Sequence, residues 1–368
     1  MQKTVRKNTQ KTVSFSKDST NIFFHILTKC NLSCRHCYID PDQHGSNTLK
    51  IETITAWLDR FSDIFTRANI IFLGGEPTLH PDLAEAIKYA KAKNAKSITV
   101  DTNGYLFHDF LNAVDPSDVD FLSFSLDGAT KETNDAIRGK GSYETCVQGI
   151  KAAVSKGFAA SLIYTVNSEN KDELGLMAPL LSEWGIKRFF IQVIGLRGNS
   201  ARKKSAQKKS ARKNSVCEKS LYEKTGSFSE KNLQLTKDEW RAIVPPAAEN
   251  IADHGIIVTY PKVFLDIDES FECAGNVADN YFIFPNGRVY RCPVCEDYPI
   301  HGLMFSENRI VETPKINETD LFKLEIPEGC VINKIVQPEN LAYKKDGTPE
   351  YRIACCMLKQ EITPRFNE

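Results

Sequence analysis

From Asn21 to Gly195 short apolar runs alternate with amphipathic stretches. The runs "NIFFHILT", "ANIIFLGG", "SITVDT", "DFLSFSLDG", "AASLIYTVN" and "KRFFIQVIG" are β-branched and aromatic and read as strands. Between them "LKIETITAWLDRFSDIF", "HPDLAEAIKYAKAKNA", "SYETCVQGIKAAVSKGF" and "DELGLMAPLLSEWGI" repeat apolar residues at helical spacing. Strands separated by helices predict a parallel sheet of about six β/α units joined by right-handed crossovers. Cys30, Gly74, Asn103, Asp127 and Asn167 stand just past the strands. Ligands of parallel β/α folds bind at the carboxyl ends of strands, so the pattern predicts one functional end of the sheet.

The pattern breaks after residue 196. The stretch "RGNSARKKSAQKKSARKNSVCEKSLYEKTGSFSEKN" has no apolar face, and residues 197–234 read as a basic flexible insertion. Residues 235–269 predict a connecting helix and strand, with Thr236 and Glu239 forming a capping box. From 270 to 368 the sequence predicts a smaller α+β cysteine-rich module, in which "NYFIF" and "RVYRC" form a hairpin through "PNG". Residues 1–20 are polar and read as a flexible N-terminal segment ahead of the 21–196 core.

Composition narrows the function classes. Forty-seven basic and 47 acidic residues give no formal net charge, so nothing overall points to an anionic partner. Nucleic acid is not expected as a partner; only the insertion suggests it. The N-terminus lacks the apolar core of a signal peptide, and no apolar run reaches the roughly 18 residues of a membrane span. The sequence reads as cytoplasmic, with no membrane partner. A chain of 368 residues buries a core without disulfide staples, so 11 cysteines in a reducing compartment point to metal binding or thiol chemistry. Cys146, on a helix, and Cys217, in the insertion, read as incidental.

In "CNLSCRHCY" the residues Cys30, Cys34 and Cys37 fall in one loop after a strand, at C-x3-C-x2-C spacing. Three thiolates from one loop can hold three corners of an iron-sulfur cubane and leave the fourth iron open. A tetrahedral zinc would need a fourth ligand, and His36 is wedged between two of the cysteines. The loop, with Tyr38 after it, resembles the signature loop of the radical S-adenosylmethionine (SAM) family. That resemblance covers about residues 20 to 195 and implies a partial (β/α)6 TIM-like barrel. It also implies a [4Fe-4S] cluster that binds SAM and cleaves it reductively, with Cys30, Cys34 and Cys37 bearing the chemistry.

"FLGGEPTLHPDL" is similar to the family's second motif, which assigns Gly74, Gly75 and Glu76 to the methionine end of SAM. Glycine suits a close backbone approach to a ligand there. By the same resemblance Asn103 of "DTNG", Ser125 and Asp127 of "FSLDG", Arg138 of "AIRG" and Asn167 of "YTVN" are candidates for the cofactor or substrate face. Each of these taken singly is also a common cap or turn residue.

The spacing C-x13-G-x4-C from Cys273 through Gly287 to Cys292 resembles the start of SPASM and twitch modules, which hold auxiliary iron-sulfur clusters. The later cysteines of a full SPASM module are missing, so one auxiliary [4Fe-4S] cluster is expected. Its ligands would be Cys273 and Cys292 with one of Cys355 or Cys356 and one of Cys295 or Cys330; zinc is the rival metal. The resemblance implies a radical enzyme acting on a peptide or protein side chain. The same chemistry on a tetrapyrrole or small metabolite is the alternative, and a non-catalytic iron-sulfur carrier or redox sensor is the alternative of another class. A low-potential donor such as flavodoxin or ferredoxin would be a partner.

Overall fold

The computed structural model describes residues 9–13, 20–201, 233–270 and 272–364. Most of the basic insertion, Cys217 included, lies outside the described residues. In chain order the strands are β1 (Thr9–Val13), β2 (Thr20–His25), β3 (Ala68–Leu73), β4 (Ser97–Thr102), β5 (Phe121–Ser125), β6 (Ala160–Val166), β7 (Arg188–Val193) and β8 (Ile257–Pro261). They continue with β9 (Phe264–Leu265), β10 (Asp279–Ile283), β11 (Arg288–Tyr290), β12 (Leu303–Ser306), β13 (Arg309–Glu312), β14 (Arg352–Ile353) and β15 (Lys359–Thr363). No helix among the described residues is long and apolar enough to cross a membrane.

Thirteen strands share one sheet in the order β1-β15-β8-β7-β6-β5-β4-β3-β2-β10-β11-β12-β13. From β2 to β8 every neighbour pairs in parallel. The α/β fold with its parallel sheet is thus present, with one strand more than the six expected. The stretch read as a mere connection supplies the seventh unit: the helix Lys237–Asp253, with the Thr236–Glu239 capping box in place, followed by β8.

Alternation along the strands sorts the residues. Ile22 and Phe24, Ile70 and Phe72, Ile98 and Val100, Leu122 and Phe124 are fully buried, in the one large apolar core that also takes in the apolar faces of the helices. Their alternate neighbours Phe23, His25, Leu73, Asp101 and Ser125 line a cavity on the other face. The two-residue period therefore sends structural and candidate functional side chains in opposite directions.

The cysteine-rich module continues the same sheet. β10 pairs in parallel with β2, and the rings of Phe282 and Phe23 stack at 4.4 Å across that pair. The hairpin of β10 and β11 forms as expected, with Gly287 at a φ of 85° that favours glycine. At the other edge β15 runs antiparallel to β8 and takes β1 beside it. Thr9–Val13 is therefore a strand inside a segment expected to be flexible; two threonines and a valine in five residues suit that edge position.

Candidate active site

Cys30, Cys34 and Cys37 all line one cavity of about 360 Å³ at the carboxyl ends of the strands. Backbone contacts fix their loop. The Gly75 amide donates to Leu27 O at 3.1 Å and the Glu76 amide to Lys29 O at 3.0 Å. A Cβ on Gly74 or Gly75 would lie 2.2 Å from the carbonyl oxygen of Leu27 or Lys29. The glycines thus let the turn after β3 close on the chain entering the cysteine loop, a steric need separate from the approach to a ligand anticipated from sequence. On the far side the Arg35 amide donates to Ile137 O at 2.9 Å, and Asn199 Nδ2 donates to Cys34 O at 2.9 Å.

Burial pushes the Cys30 thiol up to about 12 and raises Cys34 and Cys37 as well; Arg138 partly opposes the shift at the last two. Desolvated thiols become thiolates only beside positive charge. This donor set therefore suits a bound metal centre and not a free nucleophile.

The strand-end residues divide into two groups. Gly74, Gly75, Glu76, Asn103, Ser125 and Arg138 line the cavity with the cysteines. Glu76 is buried, which raises its pKa, and its carboxylate accepts from Thr78 N and Oγ1, Thr102 Oγ1 and Asn103 N. It ties the end of β3 to the end of β4. Asn103 Nδ2 donates to Asn31 Oδ1 at 2.8 Å, beside Cys30.

Asp127 and Asn167 stand behind the cavity wall. Asp127 is fully buried, 2.6 Å from Arg138 Nε and 3.2 Å from His36 Nε2, and accepts from Thr165 N at 2.7 Å. It orients Arg138 and His36 from below. Asn167 is a turn residue whose Oδ1 accepts from Glu169 N at 2.8 Å. Cys146 is buried, with its thiol toward Ser125 O at 3.7 Å.

A second, smaller cavity of about 50 Å³ is lined by Cys273, Cys292, Cys330, Cys355 and Cys356. Cys295 lies outside that lining, its thiol hydrogen-bonded to Cys292 and Glu318. Glu318 is fully buried; its carboxylate accepts from Arg291 N at 2.7 Å and Cys292 N at 3.2 Å, and burial lifts its pKa to about 7. Among the described residues no three or more His, Cys, Asp or Glu are arranged to hold a metal ion at one centre. Thiols spread round a cavity suit a cluster, in which each thiolate takes a different iron. Pro293, Val294, Cys356 and Met357 line both cavities, so the two thiol regions share a wall.

Sequence reading missed the residues that join these regions. Arg197 Nη1 donates to Pro293 O at 2.6 Å and to Glu296 Oε1 at 2.8 Å, and its guanidinium lies over the Tyr38 ring at 5.0 Å. Tyr38 OH meets His25 Nε2 at 2.8 Å. His25 and His44 each stack against the Phe284 ring, at 4.0 and 4.3 Å. Burial holds His25 down to about 3 and His44 to about 4, so both rings are neutral near pH 7. Asp101, lifted to about 7 by burial, and Lys359 also line the larger cavity. No spacing rule marks these residues; strand alternation in "SITVDT" was the one available signal, for Asp101.

Residues 25–180 match the family described as the Radical SAM superfamily. Fe-coproporphyrin III synthase of Methanosarcina barkeri is 33% identical over 193 residues, 51% of this chain and 48% of that protein. Pre-heme d1 synthase of Dinoroseobacter shibae is 30% identical over 194 residues, 49% of this chain and 45% of that protein. Mycofactocin maturase MftC of Mycobacterium ulcerans is 33% identical over 167 residues, 44% of each chain. The chain thus spans about half the length of the curated relatives it matches. In fold it is similar to Streptococcus suis SuiB bound to S-adenosylmethionine, with a TM-score of 0.56 at 12% identity over 76% of this chain and 61% of that one.

Proposed function

We propose, from the match of residues 25–180 to the Radical SAM superfamily, that this chain is an enzyme that cleaves SAM reductively and takes hydrogen from a peptide or protein side chain. The observation that carries the reading is the shared cavity. Three thiols of one loop face the same space as Gly74, Gly75, Asn103, Ser125 and Arg138, and that space borders the five-thiol pocket through Cys356.

A [4Fe-4S] cluster on Cys30, Cys34 and Cys37 would bind SAM and supply the electron that yields methionine and the 5'-deoxyadenosyl radical. The chain's own residues bind and orient. The backbone after β3 and the Arg138 guanidinium, held at 2.6 Å from Asp127, would take the amino and carboxylate ends of SAM. Asn103 and Ser125 would face its sugar or the substrate. The apolar wall formed by Phe23, Phe282, Val336 and Met357 excludes water from the reacting region. Cys273, Cys292, Cys330 and one of Cys355 and Cys356 would hold an auxiliary cluster, placed to exchange an electron with the substrate across the shared wall.

The peptide reading is supported by the 33% identity to a maturase. A tetrapyrrole substrate is the second reading, favoured by the 33% and 30% identities to the coproporphyrin and heme d1 enzymes. The test is 5'-deoxyadenosine formation by the anaerobically reconstituted full chain with SAM and a low-potential reductant. Formation is expected, with deuterium moving from a labelled substrate into 5'-deoxyadenosine for whichever class is correct. Cluster assembly with no SAM cleavage would leave an electron carrier or redox sensor in its place.

A further inference from the structure

Past the end of β7, residues 196–200 form a strap that touches both thiol regions. The Asn199 amide donates to Cys37 O at 2.9 Å, and its side-chain Nδ2 donates to Cys34 O at 2.9 Å. One residue thus holds the backbone carbonyls of two of the three loop cysteines. Cys34 O also accepts from Cys37 N at 3.2 Å, so the Asn199 side chain completes a turn that the loop begins by itself. Gly198 permits the approach: a Cβ there would lie 2.3 Å from Cys37 O, and its φ is 49°.

The same strap grips the module. Arg197 Nη1 donates to Pro293 O, next to Cys292, at 2.6 Å and to Glu296 Oε1 at 2.8 Å. The Leu196 amide donates to Val336 O at 2.9 Å, at the end of the helix Val331–Val336 that follows Cys330. Buried Ser200 closes the strap on itself, its Oγ accepting from Arg197 N at 3.0 Å and donating to Arg197 O at 2.7 Å. These bonds stiffen the strap, so the carbonyls it holds on one side are placed relative to its anchors on the other.

We propose that Asn199 is a positioning residue for the cysteine loop, acting through the carbonyls of Cys34 and Cys37 from a strap that Leu196 and Arg197 anchor in the module. The inference rests on the reading above that these cysteines carry the cluster that binds SAM. Groups that hydrogen-bond around metal ligands orient them, and their loss weakens the site without removing a ligand. The role is separate from that of the turn after β3, which holds the chain at Leu27 and Lys29, ahead of Cys30.

The experiment takes two readouts on the full chain. In metal-free protein, amide hydrogen exchange reports the opening of residues 31–38. Asn199→Ala should speed that exchange about fivefold, the effect of one lost hydrogen bond on a local opening equilibrium. Asn199→Asp keeps the size of the side chain but sets an acceptor against Cys34 O, and should speed it at least as much. Exchange in β4 and in residues 292–298 should stay at the wild-type rate in both variants. After reconstitution both should hold as much iron as wild type and bind SAM about tenfold more weakly. Wild-type exchange at residues 31–38 in Asn199→Asp overturns the proposal, and so does a rise shared equally by β4 and residues 292–298. Wild-type SAM affinity in both variants overturns it too. If reconstituted wild type instead holds no more iron than the Cys30/Cys34/Cys37 triple alanine variant, the cluster reading falls, while faster loop exchange in the Asn199 variants would still show the strap holding the loop.

Discussion

In the barrel loop three thiols come from eight consecutive residues, and backbone bonds to the turn after β3, to Ile137 and to Asn199 set their positions. In the C-terminal pocket five thiols come from four separate places, around Cys273, Cys292, Cys330 and Cys355–Cys356. There the local anchor is a buried side chain, Glu318, gripping the amides of Arg291 and Cys292. The first region draws its three thiols from one short loop, which distant backbone then holds in place. The second exists only once distant segments have folded, so it is the more sensitive to damage elsewhere in the chain.

That contrast can be broken most completely at the thiols. Cys34→Ala should abolish 5'-deoxyadenosine formation, whereas Cys292→Ala should leave SAM cleavage and stop product formation. If Cys292→Ala also ended cleavage, the two regions would be one functional unit. Metal analysis gives the same contrast: reconstituted wild type should hold about eight irons, and a Cys30/Cys34/Cys37 triple alanine variant about four.

The next largest effect should come from the bridge between the regions. Arg197→Met removes the hydrogen bonds to Pro293 O and to buried Glu296, and the loss of stability should be about 1 to 3 kcal/mol, read from denaturant unfolding. Burial lifts the Glu296 pKa to about 8 even with Arg197 beside it, so Glu296→Gln in the same background should recover part of that loss. Gly75→Ala tests the loop region alone. Its methyl group would meet Lys29 O at 2.2 Å, and about 2 kcal/mol should be lost, together with SAM binding. A Gly75→Ala variant of wild-type stability would mean that the turn does not clamp the loop.

The smallest effect concerns pH. Asp101 has a folded pKa of about 7 against an ordinary 3.8, so the native state holds its proton more tightly. Its contribution is full below about pH 4 and is lost as pH rises through about 7. Asp101→Asn should therefore stabilise the protein more at pH 8 than at pH 5, by on the order of 1 to 2 kcal/mol. An equal change at both pH values would show that the carboxylate is solvated.

The same contrast explains what could be read from the sequence. The β/α alternation, the loop at Cys30–Cys37 and the hairpin around Gly287 are local signals, and each has its element in the structure. The seventh unit was visible in pieces, as a capping box and an apolar run, but parallel pairing of β8 to β7 is a long-range fact. Parallel pairing of β10 to β2, which makes the module an extension of the barrel sheet, left no local trace either. Arg197, Glu296 and Glu318 act through partners up to about a hundred residues away, so their roles come from packing and not from spacing. Asp127 and Asn167 show the reverse: motif position marked them, yet their side chains lie behind the wall they were expected to form.

The wall made by Cys356, Met357 and Lys359 comes more than three hundred residues after Cys30. At roughly 5 to 20 residues per second of synthesis, the loop leaves the ribosome on the order of half a minute before the segment that covers it. For that interval the three loop thiols lack the wall that later lines their cavity. The loop thiols are thus most accessible before the C-terminal segment has been made.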